Sequence, residues 1–182
     1  LAPLENADRL LTVGSKNSLA PGEGACFLLL TPHAEFAQVR DGSLIAIHTP
    51  GIAKEQGHMF SEEPYRGDGL DQAFKSALHS HPGQTITSIY SSMNGENYWA
   101  KEYGVAYLRN KQKFSEATTV QHPADAYGDI GSATAAALIA LAAENLHLNK
   151  NAKKHLVYSS ADGLTRAAVV LEKIALSSVN NH

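Results

Sequence analysis

"QHPADAYGDIGSATAAALIALAA", residues 121–143, places His122, Asp125 and Asp129 on a loop that runs into a helix of Ala, Leu, Ile, Gly, Ser and Thr. Small side chains let a helix lie close against a sheet or another helix, and a helix apolar all round is a buried one. The segment 131–146 therefore predicts a central, buried, Ala-rich helix. Asp129 then falls near the positive end of its dipole, and its simplest role is that of an N-cap or first-turn carboxylate.

Toward the C-terminus, "KHLVYSS" (154–160), the turn "ADG" and "TRAAVVLEK" (165–173) make a closing hairpin, and 174–182 reads as a frayed tail. Toward the N-terminus, "ATTVQHP" (117–123) is a strand stopped by Pro123, and "GENYWAKEYGVAYLRNK" (95–111) is a helix. "TITSIYSS" (85–92) alternates as a strand. "GLDQAFKSALHSH" (69–81) puts Leu70, Ala73, Phe74, Ala77 and Leu78 on one helical face. Residues 51–68 are polar and turn-rich, a loop excursion. "GSLIAIHTP" (42–50) is a short apolar strand, and Ala25–Leu30 of "PGEGACFLLL" (21–30) a buried one.

The order is β-β-loop-α-β-α-β-α-β-β. Strands separated by helices argue for right-handed crossovers and a mostly parallel sheet, and the closing hairpin adds an antiparallel edge. The fold class is α/β: one mixed layer with covering helices, in a single domain over 1–182.

Composition bounds the function. The chain is 43% hydrophobic and 18% charged, enough for a core and unlike a disordered chain. A net charge of −3 gives no electrostatic reason to expect nucleic acid or an anionic membrane. The longest apolar run, around 133–143, is too short to span a bilayer. The start, "LAPLENADRLL", has no basic n-region and begins in mid-pattern, which reads as a boundary within a longer chain or a processed end. A single cysteine, Cys26, excludes an internal disulfide and suits a reducing, cytoplasmic setting.

Four segments in order resemble the C-terminal half of β-ketoacyl-carrier-protein synthases, which have the thiolase-like fold. "PGEGACFLLL" resembles the Gly-Glu-Gly-Ala strand that opens that half. "ITSIYSSMNGENYWAKE" is similar to the strand, loop and helix around the family's first active-site His. "YGDIGSATAAALIALAA" resembles the turn and small-residue helix that follow, and "HLVYSSADGLTRAAVVL" the terminal hairpin. The resemblance covers roughly residues 20–172. It implies a thiolase-like half with a mixed five-stranded sheet, whose nucleophilic Cys lies on an N-terminal half of the same protein. It also implies an acyl thioester carried on acyl carrier protein or coenzyme A, a dimer, and no cofactor.

Condensation needs a thiolate to hold the acyl group and two donors to stabilise the developing enolate and oxyanion. Cys26 sits inside an expected strand with no helix N-terminus nearby, so it reads as structural. The first family position falls on Ser92, a hydroxyl that donates one bond but takes up no proton near neutral pH. The second, after Gly128, holds Asp129, a carboxylate that repels an enolate unless kept protonated. Asn94 in the turn "SMNGE" is a candidate replacement for the missing imidazole, its plainer role being turn formation. His122, seven residues before Asp129, is a further candidate that could pair with Asp125, or simply bond backbone at a strand end. The candidates Ser92, Asn94, His122 and Asp129 all belong at the carboxyl ends of strands, where α/β sheets bind ligands. His79 and His81 stand two apart in "HSHP", but too few other ligands lie nearby in sequence to expect a metal.

Three readings follow. The first is an acyltransferase half acting in fatty acid or polyketide condensation. The second is a degenerate synthase-like partner subunit or acyl-binding module. The third is an unrelated α/β domain that binds a small molecule.

Overall fold

The computed structural model describes residues 2–83 and 85–176. Its centre is strand β5, Lys154–Ser160, where the period-2 alternation of a strand is plain. Leu156 and Tyr158 point into one hydrophobic core and Val157 into the other. On one side β5 pairs in parallel with β3, Ile86–Ser91, and β3 pairs in parallel with β4, Phe114–Gln121. On the other side it pairs antiparallel with β6, Thr165–Ala175, across the tight turn at 161–164.

The outer edge of β6 carries two strands end to end. β1, Ser43–Ile47, pairs with residues 171–175, and β2, Gly51–Lys54, with residues 165–168. They are pieces of one edge position broken at His48-Thr49-Pro50, where Pro50 has no N–H to give to a ladder. Six strands thus fill five positions, in the order β1/β2-β6-β5-β3-β4. This is the mixed layer expected from the sequence, with a parallel centre and an antiparallel edge.

Helices α2, Asp68–Leu78, and α3, Asn97–Arg109, cover one face. The α2 stripe Leu70, Ala73, Phe74, Ala77 and Leu78 is fully buried against Ile86, Ile89, Phe114 and Leu156. Helix α5, Thr134–Leu148, covers the other face through Leu138, Ala142 and Leu146, packed on Tyr90, Val157 and Leu171. The rest of its small-residue surface is half-buried or exposed, so α5 is buried along one stripe rather than all round. Two short helices, α1 (Ala2–Asn6) and α4 (Ala124–Tyr127), lie outside this three-layer arrangement.

The structure corrects the expectations at three places. Ala25–Leu30 is not a buried strand: Phe27 is 94% and Leu29 99% exposed, and Cys26 is only half-buried. A strand exists only where a neighbour completes its ladder, and no strand among the described residues pairs with this run. The expected loop excursion 51–68 begins with β2, whose backbone is held by β6 and by α2 packed directly on Gly51. The frayed tail expected over 174–182 is strand where it begins, since Ile174 and Ala175 still belong to β6; residues 177–182 lie outside the described residues. Among the described residues no helix is long and apolar enough to cross a membrane.

Candidate functional site

The carboxyl ends of β3 and β5 open into a cavity of about 690 Å³. Ser92 and Asn94 reach it from the loop after β3, Ser160 and Asp162 from the end of β5, and Asp129 from the turn before α5. Ser92, Asn94 and Asp129 are therefore brought to one wall, as the sequence placed them. His122 is not: it does not line this cavity, and its link to Asp125 is the backbone bond from Asp125 N to His122 O at 3.0 Å. His122 and Asp125 form no ion pair among the described residues.

Asp129 is fixed by backbone on both sides. Its N–H donates to Ala20 O at 2.7 Å, and its carbonyl accepts from Gly22 N at 2.8 Å. This crossing needs glycine twice. A Cβ on Gly22 would lie 2.1 Å from Tyr127 O, and Gly128 has φ +79 with its Cβ position 2.8 Å from Ala20 O. The Asp129 carboxylate accepts from Gly131 N at 2.8 Å and from Asn94 Nδ2 at 2.7 Å; it is not the expected cap of α5, which begins at Thr134 after Ala133.

Asn94 has two amide hydrogens, and both are engaged. One goes to Asp129, the other to Glu96 Oε2 at 3.1 Å, while its Oδ1 accepts from Glu96 N at 3.2 Å. Asn94 ties two carboxylates together and has no N–H left for a ligand. Ser92 differs. Its Oγ accepts from Ser160 N at 3.1 Å, and its own hydrogen has no acceptor among the described residues.

Glu96 is the buried anchor of the wall. Arg9 grips it with two bonds, Nε to Oε1 at 2.7 Å and Nη2 to Oε2 at 2.8 Å, and holds Asp162 through Nη1 at 2.7 Å. Trp99 Nε1 adds a bond at 3.0 Å. Burial alone raises the Glu96 carboxyl, but the hydrogen bonds from Arg9, Trp99 and Asn94 outweigh it and hold it below its usual range. The segment before Pro21 is thereby clamped over the strand ends. The Arg9 clamp had no sequence signal, because its partners lie 87 and 153 residues away.

Beneath the cavity a buried ion pair sets the floor. Arg166 Nε donates to Glu102 Oε1 at 2.5 Å, and Ser160 Oγ donates to Glu102 Oε2. Arg166 also stacks over Trp99 at 5.6 Å and donates to three backbone carbonyls of the 161–165 turn. The pair positions the turn that carries Ser160 and Asp162.

Chemically the cavity's lining combines the carboxylates of Asp129 and Asp162 with the Arg9 guanidinium and the hydroxyls of Ser92, Ser132, Thr134 and Ser160. No His lines it, and Cys26 is not among its residues.

This layered α/β sheet has the thiolase-like fold. The chain superposes on the ishigamide ketosynthase/chain length factor with a TM-score of 0.59 at 14% sequence identity, over 69% of this chain and 37% of that one. It spans a little over a third of that neighbour's length. No family model and no curated protein matches the sequence.

Proposed function

We propose that this chain is the C-terminal half of a ketosynthase-like subunit that holds an acyl thioester beside an active partner without condensing it. The observation that carries this reading is the state of Asn94: both its amide hydrogens are bound by Asp129 and Glu96. An enolate or oxyanion in this cavity would meet a carboxylate where condensation needs a donor. The 690 Å³ cavity and the position of its wall at the strand ends fit a bound small molecule. The reactive cysteine would belong to a preceding half or to the partner subunit, in keeping with the ketosynthase and chain length factor functions named for the structural neighbour.

One observation favours a second reading, a condensing enzyme with its nucleophile on a preceding half: the unspent hydrogen of Ser92 is available to an oxyanion. A single experiment separates the two. The full-length protein is purified with and without co-purifying subunits and given acyl and extender thioesters, and product and covalent adducts are read by mass spectrometry. Condensation that requires a second subunit, with no acyl group on any Cys of this protein, supports the partner role. Turnover and an acyl-cysteine on this protein alone support the enzyme. A photoreactive acyl thioester that fails to label the loops 92–96 and 159–162 overturns both.

A further inference from the structure

A second cluster of titratable groups lies outside the strand-end cavity. His48 sits in the break between β1 and β2, His81 follows the C-terminus of α2, and Glu172 projects from β6. Their ligand atoms all lie within 4.8 Å of one another. His48 Nε2 is 2.8 Å from Glu172 Oε2, and the two imidazoles meet edge to face at 4.5 Å between centroids. His81 is buried, while His48 and Glu172 are half-buried. His48 and His81 both line a separate cavity of about 670 Å³, together with His79, Ser80 and Gln72.

We propose that His48, His81 and Glu172 form a binding site for a divalent transition ion of the zinc class, with a fourth position open to this cavity. Two imidazoles and one carboxylate are a ligand set that zinc accepts, leaving one place for water or a small anion. Ligands at roughly 2.0–2.2 Å from an ion stand apart from one another by more than the 2.8 Å between His48 and Glu172, so the side chains readjust on binding. Two of them are free enough to do so.

Lys154 occupies the place of the ion. Its Nζ lies 3.3 Å from His81 Nδ1 and 3.2 Å from Glu172 Oε1. The ammonium thus points at an imidazole lone pair and a carboxylate oxygen, two groups that a metal would use. The ion would replace this cation and the proton shared between His48 and Glu172. Lys154 is therefore a competitor, and removing it should tighten binding. Lys113, bonded to the carbonyls of Leu78 and His81, stays as a second positive group facing the site. The two histidines and the glutamate come from segments far apart in sequence, so no ligand spacing announces them.

The test uses the full protein with CoCl2, whose four-coordinate complex has strong visible bands, and ZnCl2 as competitor. One Co²⁺ per chain with these bands, displaced by Zn²⁺, is expected. His48→Gln, His81→Gln and Glu172→Gln should each weaken binding by at least about 100-fold, beyond the loss of a merely supporting partner. Lys154→Gln should strengthen it, and His79→Gln should leave the bands in place. If buried His81→Gln fails to fold, the half-exposed His48→Gln and the Lys154→Gln tightening decide the matter. The proposal is overturned if Co²⁺ shows no stoichiometric visible complex. It is equally overturned if His48→Gln binds as the unmodified chain does, or if Lys154→Gln changes nothing.

Discussion

Arg166 and Glu102 are 0% and 1% exposed, and each is the other's charge partner. Breaking such a pair strands a charge in the interior, which costs more than the pair itself contributes. Arg166→Met should lower unfolding stability by about 3–5 kcal/mol in urea titrations. The double variant Arg166→Met/Glu102→Gln should recover part of that loss, because no ion is left behind. A double variant that loses the full sum of the two singles would mean that the two residues act separately. His155 makes a different case. It is buried between Asn145 and Thr87, and desolvation pushes its pKa from 6.5 down to about 4. On unfolding the imidazole regains its ordinary basicity, so the unfolded chain binds the proton first. The neutral histidine's contribution is complete above pH 6.5 and is lost as pH falls toward 4. At about 1.4 kcal/mol per unit the loss has a ceiling of about 3 kcal/mol. Stability measured across this window should fall less steeply for His155→Gln than for the unmodified chain, and parallel curves would remove His155 from the account.

At the scale of elements, the contact between β2 and α2 is backbone against backbone. A Cβ on Gly51 would lie 2.1 Å from Ala73 O and 2.7 Å from Ala77 N, neither of which can move without shifting the helix. Gly51→Ala should therefore destabilise by about 1–3 kcal/mol, the cost of an overpacked interior. Gly104, in the middle of α3, has open space where its Cβ would be, so Gly104→Ala should stabilise by up to about 1 kcal/mol through lost chain entropy. Thermal melts of the two variants should move in opposite directions; a shift of the same sign would show that the space available to the added methyl does not decide the two effects. These contacts also explain what could be read in advance. The α2 stripe and the turn of the closing hairpin carry their signal in the sequence and fall where it puts them; β3 also falls where expected, but a register shift between Ile86 and Ser88 breaks its alternation. β2 has only four residues with Lys54 at its end, too short to show a period, and its strand character comes from β6 beside it. The strand expected at 25–30 failed for the converse reason, apolar composition without a neighbour. In the site, Ser92, Asn94 and Asp129 were legible because strand ends are marked by the change from apolar to turn-forming residues. Arg9, Asp162 and the Glu102–Arg166 pair were not, since each depends on a partner placed by tertiary folding alone.

The whole molecule presents one surface that its own described residues do not cover. Phe27, Leu29, Leu30 and Phe36 are all exposed, on a stretch that follows the isolated Pro21–Asp129 bridge. A run this apolar in water marks a surface that associates with another. Under the proposed function the associating surface is a preceding half of the same protein, which would supply the ladder that 25–30 lacks. The isolated chain should therefore self-associate as its concentration rises, seen in sedimentation velocity, and bind a hydrophobic dye. Phe27→Ser/Leu29→Ser should suppress both. Because the two side chains contribute almost nothing to the folded core, the melting transition should correspond to a change within about 0.5 kcal/mol. Co-expression with a preceding half should also abolish association, and there the same two substitutions should weaken the joined protein, because the side chains would now be buried. That reversal, neutral alone and harmful when joined, is what a buried strand missing its neighbour requires. A double substitution that is neutral in both settings would assign the surface to no partner and remove the half-molecule reading with it.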